Sequence, residues 1–222
     1  MLAVAPAKAQ SAEIGPWRNG AALSDEGRKD RSRSQILDAA YAVFGDLGYD
    51  ATRVADIAKR AGLTRKTVYN LFTSKEALAE DLIARNEAMA EPLYRARIDG
   101  GEDALHLLET ILLDSAGWCI ANPNIAPLAL APKKRPGLAP PEGRPSFQRI
   151  VRDTIALGQM QGFVRNDEDA DFMSMLLLGI YAQAMITVLA GHPYDPDQIR
   201  RIIRLLVQGI GPRVGRRHLT RK

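Results

Sequence analysis

The amino-acid sequence predicts an all-α protein with about nine helices, and three observations support that fold class. Apolar residues recur three and four positions apart over most of the chain, which is the spacing of one helix face. Most of these segments begin after Ser, Thr, Asp or Asn and stop at Gly, as capped helices do. Alternating runs of β-branched and aromatic residues, which would indicate strands, are nearly absent.

Length and composition indicate a globular protein. The chain has 222 residues, of which 46% are hydrophobic and 25% are charged. A chain of this size can bury a sizeable core, and it fits one small module joined to a larger domain.

The first predicted helix starts near Ser34 and ends at Gly48. Either Ser32 or Ser34 can cap its start, and Gly48 can adopt the left-handed conformation that ends a helix. One apolar face follows the helical spacing: Ile36, Leu37, Ala40, Val43, Phe44 and Leu47.

Two short helices are predicted next. Thr52 stands at the N-cap position of the first of them, which stops at Gly62. Thr64 opens the second, whose inward residues are Val68 and Leu71.

A longer helix and a buried helix follow. Thr73 and Glu76 have the spacing of a capping box, and Pro92 is expected to end or kink the helix they start. Residues 102–121 are apolar on nearly all sides, which predicts a buried helix. Seven of the 13 prolines fall between residues 122 and 146, so this segment is predicted to be a loop with at most one short helix.

Three helices complete the chain. One covers roughly residues 146–161, one is capped by Asn166 or Asp167 and continues to Gly191, and the last starts at Asp195.

The helix before Gly191 contains an uncharged stretch, residues 172–191. Its 20 residues would span about 30 Å of hydrocarbon, so a membrane span is one interpretation. Acidic residues flank it more closely than Lys or Arg, which fits the positive-inside rule poorly. We therefore favour a helix buried between its own domain and a partner subunit, with no membrane association.

Composition excludes several classes of site. Cys119 is the only cysteine, which rules out an internal disulfide and a Cys-based zinc finger. The three histidines stand far apart, so no metal site and no cofactor is predicted. The first residues lack the positive start of a secretory signal, and a cytoplasmic protein is predicted.

Charge is distributed unevenly along the chain. The first 75 residues carry 12 of the 30 Lys and Arg but only 8 of the 26 Asp and Glu. Residues 213–222 carry five basic residues and no acidic one. A basic front on an acidic body is typical of a nucleic-acid-binding module joined to a second domain.

The segment from Val54 to Phe72 has the size pattern of a helix-turn-helix. Ala58 is small where two helices cross, Gly62 permits a positive φ in the turn, and Val68 points into the core. Its second helix carries donors for base edges and phosphates: Thr64, Arg65, Lys66, Thr67, Tyr69 and Asn70. The alternative is a generic helical hairpin with a solvated basic face.

This segment resembles the DNA-binding domain of the TetR family of bacterial transcriptional regulators. The resemblance covers residues 34–82 and is carried by these words: Ile36-Leu37-Asp38-Ala39-Ala40, Phe44, Gly48-Tyr49, Thr52, Asp56-Ile57-Ala58, Ala61-Gly62-Leu63, Thr67-Val68-Tyr69 and Phe72-x-x-Lys75-Glu76-x-Leu78. The remainder of the chain matches the family only in its all-helical style.

The resemblance implies roles for individual residues. Thr64, Arg65, Lys66 and Thr67 would read bases, whereas Tyr69 and Asn70 would contact phosphates. Thr52 and Lys75 stand at helix N-termini that the family directs at the DNA backbone. Asn70 and Leu71 depart from the commoner pair after the tyrosine, which affects the detail of phosphate contact.

A single module makes few base contacts, so specific binding favours a homodimer on a two-fold operator of double-stranded DNA. An apolar stripe on the last helix, with the uncharged face of residues 172–191, is predicted to form the dimer interface: Ile199, Ile202, Ile203, Leu206 and Ile210. The alternative is that both stripes belong to the core of one chain.

The resemblance also implies a small-molecule pocket in the C-terminal domain. The candidate lining residues are adaptable apolar side chains with one amide: Trp118, Cys119, Asn122, Met173, Tyr181 and Met185. Ordinary core packing is the alternative for each of them. The effector is expected to be partly apolar.

We therefore predict four segments. They are a flexible arm (1–30), a helix-turn-helix domain (31–76), a ligand-binding and dimerisation domain (77–212) and a basic tail (213–222). The predicted function is a ligand-responsive regulator, most simply a repressor, and not an enzyme, because no catalytic set or phosphate-binding glycine loop is present. A helical protein-protein adaptor is the alternative.

Overall fold

The computed structural model describes residues 25–131 and 146–209, which form nine α-helices and no strand. In chain order these are α1 Asp25–Leu47, α2 Val54–Arg60, α3 Arg65–Leu71, α4 Lys75–Asp99, α5 Ala104–Ala121, α6 Ala126–Leu130, α7 Phe147–Met160, α8 Ala170–Leu189 and α9 Pro196–Gln208. The all-α prediction is confirmed. Residues 1–24 of the predicted arm, most of the Pro-rich loop, Ile210 and the basic tail lie outside the described residues.

Helix α1 begins nine residues before the predicted start at Ser34. The predicted flexible arm included residues 25–30, and these residues are helical. The extension has no apolar stripe that would predict it, because it consists of about two and a half polar turns added to a helix that is already nucleated. Ser32 and Ser34 consequently lie inside the helix and cap nothing at its start.

Two predicted caps are displaced by one residue. Arg53, not Thr52, is the N-cap of α2, and its backbone N–H donates to the Asp56 carboxylate at 3.1 Å. Ser74, not Thr73, caps α4, because its hydroxyl accepts from the N–H of Ala77 at 3.1 Å.

Pro92 does not end its helix, and α4 continues to Asp99. A proline removes one backbone hydrogen bond, which other contacts must offset. Here Tyr94 is buried in the core, and Arg95 pairs with Asp153 of α7 at 2.7 Å. These tertiary contacts hold the turn that follows Pro92.

Asp169 caps α8, where Asn166 or Asp167 was predicted. The Asp169 carboxylate accepts from the N–H of Phe172 at 2.7 Å, whereas Asp167 pairs with Arg165. The predicted starts at Thr64 and Asp195 are confirmed, because these residues cap α3 and α9. Ser146, at the approximate predicted start of α7, caps that helix.

The residues that the structure describes form two hydrophobic cores, and these do not divide neatly along the chain. The first core joins α1, α2, α3 and α4 around Phe44 and Ile57. The second core joins α5, α7, α8 and α9, and it also contains Tyr94 of α4. Ile125, from the loop after α5, is 2% exposed and lies in the first core. Trp118 packs against both. The N-terminal module is therefore completed by residues from the second half of the chain.

Helices α5 and α8 are each long and apolar enough by composition to cross a membrane. In the fold both pack into the second core. Leu107 and Ile111 of α5 and Leu177 of α8 are fully buried there. At least one apolar face of α5 and of α8 therefore packs against other helices of the same chain.

Candidate nucleic-acid interface

Helices α2 and α3 form a tight helix-turn-helix. The turn is closed by backbone bonds from Gly62 N–H to Lys59 O, at 3.2 Å, and from Leu63 N–H to Ala58 O, at 2.9 Å. Gly62 has φ +66°, which is unfavourable for a residue with a Cβ. Ala58 is buried at the helix crossing, so the predicted small-residue pattern is confirmed.

Helix α3 has a sharply divided surface. Val68 is buried, whereas the predicted DNA-facing residues point outward. Thr64, Arg65, Lys66, Tyr69 and Asn70 are exposed, and Thr67 is half-buried.

The outward face of α3 is rich in hydrogen-bond donors and has no acid. Its sequence contains Arg65 and Lys66 in the first turn and Asn70 in the last. Thr64 also caps the helix, because its Oγ1 accepts from the N–H of Thr67 at 3.1 Å. Such a face can donate to phosphates and to the acceptor edges of bases in a major groove.

Thr52 faces the interior of the module. It is 2% exposed, and its hydroxyl donates to the Gly48 carbonyl at 2.7 Å. The side chain of Thr52 is therefore not an exposed donor, and contact of this residue with the DNA backbone stays a prediction. The hydroxyl instead closes the loop between α1 and α2.

Lys75 is also engaged within the chain. Its Nζ donates to the carbonyls of Tyr49 at 2.8 Å and Thr52 at 3.0 Å. The same ammonium lies 4.3 Å from the centroid of the Tyr49 ring. The structure thus places Lys75 against the α1–α2 loop.

Arg33 ties the far end of α3 to two other helices, a role for which the sequence offers no signal. Its guanidinium donates to the carbonyl of Leu71, the last residue of α3, at 3.3 Å, and to the carboxylate of Asp81 on α4. The recognition helix α3 is thereby attached to α1 and α4 together.

Five of the six predicted pocket residues divide into two groups, and the sixth, Trp118, packs against both cores. Cys119, Met173, Tyr181 and Met185 come together in the second core, and each is at most 2% exposed. Burial raises the pKa of Cys119 to about 11 and raises that of Tyr181 above its usual range. The hydroxyl of Ser115 and the thiol of Cys119 lie near the Tyr181 hydroxyl, a small polar cluster inside an apolar core.

Asn122 lies apart from that group, at the junction of the two domains. Its side chain accepts from the Tyr41 hydroxyl on α1 and donates to the Trp118 carbonyl at 2.9 Å. Asn124 makes a parallel contact to the Gly45 carbonyl at 2.7 Å. Asn122 is therefore better described as a link between domains than as part of the buried cluster.

The predicted dimer stripe is buried within one chain. Ile199, Ile202 and Ile203 belong to the second core, and Leu206 packs against it. The alternative interpretation, intrachain core, holds for these residues because α9 lays its stripe onto α5 and α8. Exposed apolar residues of this region are Met175, Leu176 and Ile180, within the predicted uncharged stretch of α8, and Leu205 of α9.

Comparisons with known proteins agree with this geometry. A model for bacterial regulatory proteins of the tetR family matches residues 36–82. The HTH-type transcriptional repressor KstR2 of Mycobacterium tuberculosis is 28% identical over 192 residues, which cover 82% of this chain and 94% of that protein. The A-factor receptor protein of Streptomyces griseus is 30% identical over 101 residues, and the match spans only 36% of its length.

A solved structure has the same fold. The Thermus thermophilus FadR, a TetR-family transcriptional repressor in complex with lauroyl-CoA, superposes with a TM-score of 0.68 at 21% identity. The match covers 83% of this chain and 98% of that one.

Proposed function

This chain belongs to the tetR family of bacterial regulatory proteins, and from that premise we propose that it is a ligand-responsive transcriptional repressor. The observation that carries the proposal is the outward face of α3, where Arg65, Lys66, Tyr69 and Asn70 stand opposite the buried Val68. The protein acts on double-stranded DNA in the cytoplasm and performs no enzymatic step.

The repressor binds its operator as a homodimer. One recognition helix of seven residues reaches few base pairs, so two copies on half-sites about 34–36 Å apart, or a multiple of that spacing, supply the specificity. The exposed face of α8, with Leu176 and Ile180, and Leu205 of α9 supply the apolar surface for pairing. This surface replaces the buried stripe of α9 as the proposed interface.

The effector is a partly apolar small molecule that enters the second core. Support comes from the buried cluster of Cys119, Met173, Tyr181 and Met185, because methionine and aromatic side chains can repack around a ligand. The Tyr181 and Ser115 hydroxyls would orient a polar group. The lauroyl-CoA in the Thermus thermophilus relative is an instance of a ligand with a long apolar part.

Release from DNA follows from the course of α4. This helix starts beside the helix-turn-helix and contributes Tyr94 to the second core, near α5. A ligand that displaces α5 or α7 would shift α4 and change the distance between the two recognition helices of the dimer. The two half-sites could then no longer be occupied together.

An electrophoretic shift assay tests the proposal. The probe is a duplex from the region immediately upstream of the gene, bound by the parent chain, Arg65→Ala and Tyr69→Ala. Removal of one good base or phosphate contact costs about 1–3 kcal/mol, so each variant should bind at least several-fold more weakly. Arg201→Ala, an exposed change on α9, is the matched control and should bind as the parent does. Equal binding by all four proteins would favour the protein-protein adaptor instead.

A further inference from the structure

Helix α8 presents a stripe of four buried side chains to the second core. Met173, Leu177, Tyr181 and Met185 follow one another at intervals of four residues, and each is at most 2% exposed. Residues spaced by four lie on the same face of a helix. The Tyr181 hydroxyl is the only hydrogen-bond donor among these four side chains.

This hydroxyl is buried without a hydrogen-bond partner among the residues that the structure describes. The Ser115 hydroxyl and the Cys119 thiol lie near it, but neither meets hydrogen-bond geometry with the phenol oxygen. The tyrosine ring lies beside the Phe147 ring, with centroids 6.5 Å apart. Burial of an unpaired hydroxyl is unfavourable, and folded proteins leave few of them. The Tyr181 hydroxyl therefore has an unused capacity to donate.

A second tyrosine of the same core has the usual arrangement. Tyr94 is 7% exposed, and its hydroxyl donates to the Asp114 carboxylate at 2.8 Å. Asp114 lies on α5, directly before Ser115. Helix α5 thus supplies an acceptor to Tyr94 and none to Tyr181. An acceptor for Tyr181 would have to come from a bound molecule.

The surroundings of the Tyr181 hydroxyl favour an uncharged acceptor. Burial raises the pKa of Tyr181 above its usual range, and the side chains that act on it next, within the described part of the chain, are Ser115, Cys119 and Tyr194. Burial also raises the pKa of Cys119 to about 11 and that of Tyr194 above its usual value, so all of these groups are neutral at pH 7. An ionised group placed here would lose its hydration without gaining an opposite charge.

We propose that the Tyr181 hydroxyl is the specificity-determining donor of the effector site, and that the effector is an apolar molecule whose buried end carries an uncharged carbonyl oxygen. The carbonyl oxygen accepts from Tyr181, and the flexible Met173 and Met185 side chains repack around the apolar part. Ketones and esters have this chemistry, whereas carboxylates and ammonium groups do not. The inference rests on the proposed function, whose effector it assigns to a chemical class.

Equilibrium dialysis of the full chain without DNA tests the inference. The probes are acetophenone, its isostere α-methylstyrene, in which a methylene group replaces the carbonyl oxygen, and benzoate, which is charged. Acetophenone should bind the parent chain at least about tenfold more tightly than benzoate, because the site offers benzoate no cation. Tyr181→Phe should lower the ratio of acetophenone affinity to α-methylstyrene affinity about tenfold, because only the ketone loses a hydrogen bond.

Tyr94→Phe is the matched control, because it removes the same atom from another tyrosine of the same core. It should leave the affinity ratio within about twofold of the parent value. It should also lower the urea midpoint, since the Asp114 carboxylate loses its donor. Tyr181→Phe should keep or raise the urea midpoint, because it removes a hydroxyl that has no partner.

Four results would overturn the inference. They are a failure of acetophenone to bind, benzoate binding as tight as that of acetophenone, an unchanged affinity ratio in Tyr181→Phe, and a urea midpoint lowered in Tyr181→Phe as in Tyr94→Phe. The electrophoretic shift assay is independent of all four. A parent chain that failed to bind the duplex would overturn the proposed function, while dialysis would still decide the role of Tyr181.

Discussion

The guanidinium carbon of Arg33 lies 4.6 Å from the centroid of the Phe72 ring, so a residue of α1 covers the residue that follows the recognition helix. The same side chain bonds the carbonyl of Leu71 and the carboxylate of Asp81. Three helices of the N-terminal module therefore meet at one arginine. Together with Lys75, it attaches both ends of the helix-turn-helix to α4.

Replacement of this arginine should weaken the module. Arg33→Met keeps much of the apolar stem but removes the cation–π contact and the charged hydrogen bonds, which should lower the free energy of unfolding by about 1 kcal/mol. Urea denaturation followed by circular dichroism measures it. Arg31→Met, an exposed change on the same helix, should stay within about 0.5 kcal/mol of the parent. Equal effects of the two changes would contradict the assigned role of Arg33.

Gly62 should tolerate no β-branched side chain. Its φ of +66° costs an L-residue about 1–2 kcal/mol, so Gly62→Val should lower stability by at least that amount. Gly45 is the matched control, because it lies inside α1 and a Cβ there would meet no atom within 4 Å. Gly45→Ala should therefore raise stability, by about 0.5–1 kcal/mol. Both values come from urea midpoints, and a neutral Gly62→Val would show that the turn relaxes.

A single charged substitution in the proposed dimer surface tests whether that surface forms the dimer. Ile180 is 52% exposed on α8, so Ile180→Glu should leave the helical circular dichroism unchanged and shift the protein from dimer to monomer. Light scattering after gel filtration measures the mass. Ile199 is 3% exposed, and Ile199→Glu should instead unfold the C-terminal domain, because it buries an unpaired charge. A dimer that survives Ile180→Glu would place the interface elsewhere.

Cys119 should report on opening of the second core. Burial raises the pKa of its thiol to about 11, and only the thiolate attacks a disulfide reagent. Ellman's reagent at pH 8 should therefore label the folded protein orders of magnitude more slowly than the protein in urea. Rapid labelling of the folded chain would contradict the burial of this thiol.

The same thiol gives a pH dependence with a defined sign. Its folded-state pKa lies above the unfolded value of 9.0, so the folded state favours the neutral thiol. The corresponding stability is fully present below pH 9 and is lost as the pH rises through about 11. Thermal unfolding between pH 8 and pH 11 should show a shallower decline in Cys119→Ala than in the parent.

The features that the sequence predicted well are local ones. Ala58, Gly62 and Val68 obey size and backbone rules that act within a few residues, and their positions are confirmed. Two predicted N-caps were wrong by one residue. Thr52 and Thr73 are residue types that often cap helices, but the next residue in each case, Arg53 and Ser74, occupies the N-cap position.

Features that depend on tertiary contacts could not be predicted. The charge of Lys75 suggested an outward residue, and only the folded loop shows three carbonyls converging on it. The stripe of Ile199 and Ile202 looked like surplus apolar surface, since a sequence does not say which helices cover it. The role of Arg33 could not be predicted, because its three partners all lie 38 to 48 residues away in the chain.

The position of Ile125 in the first core limits which segments of this protein can be exchanged with those of a relative to make a functional chimaera. A chimaera that takes its DNA-reading half from one relative and its effector half from another would cut the chain between α4 and α5. The residues at positions 125 and 128 would then come from the other parent, and they would have to pack against a first core whose shape fits Ile125 and Leu128. Modular exchange in this chain has to carry the segment after α5 along with the first four helices.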